Sequence, residues 1–193
     1  AKELLALPDP WDPAQNIRYR LWDSSLYRGK YYLYFGPTPA LLLMLPWKLV
    51  AGSDLPQRLA TGLFACAGLG GLSLLLAGIR RRHFPAATPL QLFLAVLLAG
   101  HVSWLPVVLQ RPAFWELPIV TAVALLWWCL YFLWRYHDGN RRTHWAVAAG
   151  CTLAFVVGAR PTYVFGAAFI ALLFALPLDR TRPLARGLRR LLP

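Results

Sequence analysis

Four apolar runs between residues 59 and 176 limit what this chain can fold into, because each approaches or exceeds the length that crosses a lipid bilayer. About 20 predominantly apolar residues span the hydrocarbon core as an α-helix. Three of the runs, residues 59–79, 89–109 and 113–134, have that length. They predict an all-α, polytopic membrane helical bundle. The composition agrees, since 58% of the 193 residues are hydrophobic and 15% are charged.

The fourth run, residues 145–176, is too long for one straight span. Its 32 residues would extend about 48 Å as a helix, against about 30 Å of hydrocarbon. Arg160 and Pro161 lie near its middle, and a proline removes the normal helical hydrogen bond. We therefore predict two shorter helices, about 145–158 and 163–176, with the chain turning back between them.

The arginines predict how these spans are oriented. Alternation of the spans puts three groups, eleven arginines in all, on one side: Arg80, Arg81 and Arg82; Arg135, Arg141 and Arg142; Arg180, Arg182, Arg186, Arg189 and Arg190. Cytoplasmic loops carry an excess of Lys and Arg, so this side is predicted to be cytoplasmic, and residues 1–58 to lie outside an inner or plasma membrane. The net charge of +12 then indicates membrane lipids as partners and not nucleic acid, because the cations cluster at the ends of apolar runs.

The cysteines indicate neither a disulfide framework nor a metal site. Cys66, Cys129 and Cys151 fall inside apolar runs and show no paired or metal-type spacing. No gly-rich nucleotide loop or nucleophile motif is present either, so the sequence indicates no particular cofactor. The chain starts at Ala1 without the apolar core of a signal peptide, which is what we expect of a piece of a longer protein.

A polar, aromatic stretch at residues 22–39, WDSSLYRGKYYLYFGPTP, precedes the first long apolar run. Asp23 can accept a proton as a general base, whereas Arg28 and Lys30 can bind a phosphate. Aromatic rings with a polar atom favour the headgroup level of a membrane. The stretch has four of them: Tyr27, Tyr31, Tyr32 and Tyr34. Its other interpretation is an aromatic belt that anchors the protein, with Asp23 as a loop residue bonded to nearby backbone.

The chain between this stretch and the first span predicts a short interfacial helix. Residues 31–35 are expected to be extended, and Gly36-Pro37-Thr38-Pro39 forms a turn. Residues 40–50 are apolar but too short to cross the bilayer, so they are expected to lie in the interface. Gly52 should end this helix, and Asp54 should cap the next one. Residues 1–58 thus form an extracytoplasmic region, followed by the transmembrane region, residues 59–193.

An ordered set of short motifs runs through residues 15–85: Asp23, Gly29-Lys30-Tyr31-Tyr32, Gly36-Pro37-Thr38-Pro39-Ala40-Leu41, Gly52-Ser53, Arg58-Leu59 and Arg80-Arg81-Arg82-His83-Phe84. In this order they resemble the first outer loop and second span of GT-C membrane glycosyltransferases. The resemblance is greatest to the family 39 type, which includes polyprenyl-phosphate-sugar-dependent mannosyl- and aminoarabinosyltransferases. The remaining spans match by hydropathy alone.

The resemblance implies an integral enzyme that takes a sugar from a lipid phosphate carrier on the outer face of the membrane. An acidic residue of the first outer loop acts as base in that family, which implies a catalytic role for Asp23. The usual base lies near the end of a first span that precedes this chain's residues, so Asp23 would be a second acidic residue of the site. The substrate-binding residues that we expect are Arg28, Lys30, Tyr31, Tyr32 and Arg160.

Two alternatives stay open on the sequence. Arg160 either binds a lipid-linked phosphate or is neutralised by Glu116, which is the acidic residue inside the spans. The protein itself is either a glycosyltransferase or a member of a different class, namely a non-catalytic membrane module or a lipid or solute transporter. The donor sugar and the acceptor cannot be read from these residues.

Overall fold

The computed structural model describes residues 3, 6–10, 12–16, 24–28, 30–33, 35–103, 105–111, 115–138 and 142–175. The chain divides into two compact units, Ala1–Gly36 and Pro37–Pro193. Apart from one short hairpin, the regular structure of the described part is helical. Two of its helices are long and apolar enough to cross a membrane.

The first unit contains a short helix, α1 (Pro13–Asn16), and an antiparallel hairpin of β1 (Ser24–Tyr27) and β2 (Lys30–Leu33). The predicted extended segment, residues 31–35, is therefore confirmed for residues 31–33. The strand β2 begins one residue earlier than predicted, at Lys30. Arg28 has a φ of 49°. That left-handed conformation is what tight two-residue hairpin turns require of their central residues.

The second unit contains seven α-helices in its described part, together with a π-helical turn and a 3₁₀ turn. In chain order they are the π-helical turn Ala40–Met44, α2 (Leu45–Ala51), α3 (Gln57–His83), α4 (Pro89–Val102), α5 (Leu105–Gln110), α6 (Glu116–Asp138), α7 (Thr143–Ala159), the 3₁₀ turn Pro161–Tyr163 and α8 (Val164–Ala175). The two candidate spans are α3 and α6. Three other apolar helices fall within the predicted apolar runs: α4, α7 and α8, with 14, 17 and 12 residues. Each is shorter than the about 20 residues that cross a bilayer.

The helix predicted over residues 40–50 forms as the π-helical turn followed by α2. It ends at Gly52, whose φ is 68° and whose N–H donates to Lys48 O. The predicted cap by Asp54 is wrong, because Asp54 pairs with Lys48 Nζ at 2.9 Å and no side chain caps α3. Leu49 and Val50 are 77% and 90% exposed. This exposed apolar surface fits a helix that lies in a membrane interface.

Glycines of α3 let α6 approach closely. A Cβ at Gly68 would lie 2.9 Å from Ala124 Cα, and one at Gly78 would lie 2.6 Å from Trp134 Nε1. Small residues permit such contacts between helices in lipid. Residue numbers rise together along both helices, so α3 and α6 run parallel. The chain between them must therefore return along most of their length.

The segment that returns is α4 followed by α5. Together their 20 residues rise about 30 Å. The predicted continuous span 89–109 is wrong, because α4 ends at Val102, Ser103 is not helical and α5 begins at Leu105. Ser103 Oγ donates to Gly100 O at 2.8 Å, and Pro106 in the first turn of α5 has no N–H to continue the helical pattern.

The predicted division of the last apolar run at Arg160 is confirmed. Arg160 is extended, with φ −148° and ψ 106°, between α7 and the 3₁₀ turn. Along α7, Ala149 accepts a hydrogen bond from Cys129 Sγ of α6, so the two helices lie side by side. Ile170 of α8 belongs to the same buried cluster as Cys129 and Ala149. α8 therefore turns back beside α7.

The second unit consequently has two distinct ends. One end, which we call the basic end, comprises the C-terminal ends of α3 and α6 and the start of α7. It carries Arg80, Arg81, Arg82, Arg135 and Arg142. The other end, the Arg160 end, holds the π-helical turn, the starts of α3 and α6 and the break at Arg160. Five of the eleven arginines predicted to lie on one side thus share this end, while Arg141 and residues 176–193 lie outside the described part.

Single cysteines at Ser53 and Thr143 test which end faces outward. Both positions are exposed, and they lie at opposite ends of the second unit. In a background without the native cysteines, we expect an impermeant thiol reagent to label intact cells at residue 53, and to label residue 143 only after permeabilisation. Equal labelling of the two positions, or the reverse pattern, would contradict the orientation.

Candidate functional site

The structure divides the predicted site residues between the two units. Four lie on the hairpin of the first unit, namely Arg28, Lys30, Tyr31 and Tyr32. Arg160 lies in the second unit, at the break between α7 and α8. Asp23 directly precedes β1 in sequence and lies outside the described residues.

The tip of the hairpin carries two cations beside two aromatic rings. Tyr27 pairs with Lys30 in the ladder, and Tyr32 follows on the same face because side chains alternate along a strand. The rings of Tyr27 and Tyr32 meet edge to face at 6.4 Å, and Arg28 Cζ lies 5.1 Å from the Tyr27 ring centre. All four side chains are exposed. The tip is therefore an open basic and aromatic surface.

This surface can bind an anion. A guanidinium stacked on a ring keeps its in-plane N–H groups available, and its planar geometry fits a phosphate in bidentate fashion. Lys30 adds a point charge. None of the described residues of the hairpin, which are β1, Arg28 and β2, is acidic. Tyr31 pairs with Leu26, and only its backbone position is described.

At the Arg160 end, Thr38 packs on the last turns of α7. The predicted turn over residues 36–39 is wrong at Thr38 and Pro39, which are helical. Thr38 is 2% exposed, and its hydroxyl donates to Phe155 O at 3.0 Å. A Cβ at Gly158 would lie 2.7 Å from Thr38 Oγ1, so only glycine leaves room for this contact. The hydrogen bond joins residues 117 positions apart and brings Thr38 close to the end of α7, five residues before Arg160.

The backbone holds Arg160 on both sides. Its N–H donates to Val156 O at 3.1 Å, and its carbonyl accepts from the N–H of Tyr163 at 3.0 Å. The side chain is partly exposed, and it forms no ion pair with any residue that the structure describes. Its guanidinium is therefore available to a ligand.

Glu116, the proposed ionic partner of Arg160, makes a different contact. Its Oε1 accepts a hydrogen bond from Trp115 Nε1 at 2.7 Å. Its Oε2 is buried without a hydrogen-bond partner in the described part of the chain. The arrangement does not pair Glu116 with Arg160, which favours the ligand-binding interpretation of the arginine.

The sequence placed Thr38 in a motif but did not predict its hydrogen bond to α7. The one signal was its place between two prolines, which have no N–H, so its hydroxyl had few local partners. Its partner, Phe155 O, comes from a distant helix and cannot be found by local pattern. The contact of Glu116 with Trp115, by contrast, joins adjacent residues and was open to local prediction.

Among the described residues, no three His, Cys, Asp or Glu side chains lie close enough together to hold a metal ion. Comparisons of the chain with protein-family models, with curated proteins and with solved structures found no match. Interpretation of the site therefore depends on its residues and their geometry.

Proposed function

We propose that this chain is part of a GT-C-like integral membrane glycosyltransferase, which transfers a sugar from a polyprenyl-phosphate carrier on the outer face of the membrane. The observation that carries the proposal is the hydrogen bond from Thr38 to Phe155. It ties Thr38, which belongs to a motif of the resemblance, to the helix break that exposes Arg160. Two features that the sequence singled out separately are thus neighbours in the second unit.

Arg160 has the surroundings that a lipid-linked phosphate needs. Its guanidinium can hold two phosphate oxygens at once, and a charge at membrane depth is costly without such a partner. Val164 and Phe165, within two turns of it, are 48% and 83% exposed. An apolar surface beside a cation suits a ligand with a phosphate and a long isoprenoid chain.

Asp23 takes the role of base in this proposal. Transfer of a glycosyl group to a hydroxyl or amine needs a carboxylate within hydrogen-bond reach of the attacking atom. Arg28 and Lys30 follow Asp23 in the chain on the exposed hairpin tip, where they would bind phosphate or sugar oxygens together with Tyr31 and Tyr32. The donor contributes its own leaving group, the carrier phosphate.

A multi-pass arrangement in an inner or plasma membrane belongs to the same proposal. It is supported by the parallel packing of α3 and α6, because two parallel spans need a third crossing between them. It is also supported by the return of α8, which lets both ends of the last apolar run reach the basic end.

Substitutions at Arg160 and Glu116 test the proposal. We expect Arg160→Ala and Arg160→Lys both to weaken binding of sugar-free polyprenyl phosphate by about 10-fold or more, because lysine cannot reproduce the bidentate contact. Glu116→Gln should leave the affinity almost unchanged, and thermal stability should change little in all three variants. The two measurements are carrier affinity and melting temperature of the intact protein in detergent.

This role for Arg160 would be refuted if the double variant of Arg160 and Glu116 were more stable than either single variant. If Arg160 and Glu116 neutralise each other, each single substitution destabilises the protein and the double variant recovers most of the loss, since an unpaired buried charge is the main penalty.

The second candidate, a lipid or solute transporter, is favoured by the two interrupted helices. The end of α4 at Val102 and the break at Arg160 resemble the discontinuous helices that line transport sites. Reconstituted vesicles distinguish the candidates, because a transferase consumes the lipid-linked sugar whereas a transporter moves its ligand unchanged across the bilayer.

A further inference from the structure

The basic end carries more positive charge than its own residues neutralise. Arg82 Nε lies 3.6 Å from Asp138 Oδ1, and Arg80 Nη1 donates to Ala87 O at 2.9 Å. Among the residues described at this end, Asp138 is the one carboxylate. Arg135 and Arg142 form no ion pair with any described residue. Both are exposed.

Trp145 brings these two arginines into one site. Arg135 Cζ lies 4.9 Å from the centre of the Trp145 ring. The N–H of Trp145 donates to the carbonyl of Arg142 at 3.0 Å, so Arg142 starts the same helical turn. On α6, Phe132 stacks against Trp145 at 5.9 Å and 25°. The indole ring is thus held from α6 and carries a guanidinium whose N–H edge remains open.

Exposed apolar side chains also occur at the basic end. Val147, two residues beyond Trp145, is 58% exposed. Phe84 and Leu90, which flank the start of α4 at the same end, are 61% and 64% exposed. Nucleic acid and free phosphate offer nothing to such side chains, whereas an acyl chain does. The combination of arginines, an interfacial tryptophan and exposed apolar side chains fits the boundary between headgroups and acyl chains.

We propose that the basic end contains a binding site for an anionic phospholipid, formed by Arg135 and Arg142 around Trp145. The lipid phosphate contacts the two guanidinium groups, and its acyl chains lie against exposed apolar side chains of the basic end. This site is at the opposite end of the second unit from Arg160; it rests on the proposed membrane arrangement but not on sugar transfer. It fixes α6 and the start of α7 at one depth in an anionic leaflet.

The test measures binding of phosphatidylglycerol and phosphatidylcholine to the full chain in detergent by native mass spectrometry. Phosphatidylglycerol should bind more tightly than phosphatidylcholine. Each arginine near an anionic headgroup contributes about five-fold to affinity, so the double variant Arg135→Gln with Arg142→Gln should bind phosphatidylglycerol roughly 30-fold more weakly. A matched control, Lys48→Gln with Arg58→Gln, removes the same charge at the Arg160 end and should change the affinity less than about three-fold.

A second variant keeps the test decisive if the glutamine variant folds poorly. Arg135→Lys with Arg142→Lys retains both charges and loses the stacked planar group, so it should bind phosphatidylglycerol with an intermediate loss. Equal binding of the two lipids, or an equal loss in the control, would overturn the site. Displacement of phosphatidylglycerol by excess inorganic phosphate would show a simple anion site and would also overturn the proposal of a phospholipid.

Discussion

Replacement of Asp23 by asparagine should lower sugar transfer by at least about 100-fold, because removal of a general base typically has an effect of this size. Asparagine keeps the shape of the side chain but cannot accept the proton of an attacking hydroxyl or amine. The measurement is transfer of labelled sugar from a polyprenyl-phosphate carrier in membranes that contain the intact protein. The amount of variant in the membrane should match that of the parent protein.

Asp12→Asn is the matched control for this substitution. Asp12 lies in the same unit, and its Oδ2 accepts a hydrogen bond from Gln15 Nε2 at 2.9 Å beside α1. That contact gives it a structural role, and asparagine can still accept through its own oxygen. We expect the control to retain activity within about two-fold. Activity of the Asp23 variant within a fewfold of the parent would show that Asp23 is a structural loop residue.

Gly68→Val should lower the melting temperature of the second unit by about 6 to 12 °C, the equivalent of roughly 3 kcal/mol. A Cβ at this position meets the backbone of Ala124 at 2.9 Å, and backbone atoms cannot move aside as a flexible side chain can. The helices α3 and α6 would have to move apart, and the packing contacts between them would be lost. Thermal unfolding in detergent, followed by tryptophan fluorescence or circular dichroism, measures the change.

Gly62→Val on the same helix separates packing from helix propensity. A Cβ at Gly62 has nothing within 4 Å, so the same substitution there changes the intrinsic preference of the helix without an obstruction. We expect a shift of less than about 2 °C. Equal destabilisation by Gly62→Val and Gly68→Val would mean that the α3–α6 contact does not depend on glycine.

Much of the membrane character follows from local properties of the sequence. The lengths of the apolar runs predict α3 and α6, and Pro161 together with the excessive length of residues 145–176 predicts the break that the structure has at Arg160. The arginine groups predict which helix ends lie together, which the contact of Arg82 with Asp138 supports. These inferences succeed because each depends on hydrogen bonding or hydration of a short segment.

The end of α4 at Val102 was not predictable in the same way. Pro106 was visible, but a proline is tolerated in membrane helices when neighbouring groups satisfy the freed backbone. At this break, Ser103 bonds to Gly100, while packing of Val108 with buried residues of α3 and α6 holds α5. The sequence does not reveal that packing, because it brings together residues of α3, α5 and α6, which are far apart in the chain.

For the candidate site, the sequence by itself determined the chemical types: an acid at Asp23, cations at Arg28 and Lys30, and an arginine beside a proline at Arg160. Tertiary structure decided which groups meet. It joined Thr38 to Phe155, and it did not bring Glu116 into an ion pair with Arg160. The physical reason is that hydropathy and backbone preference act over a few residues, whereas a hydrogen bond between distant segments depends on how whole helices pack.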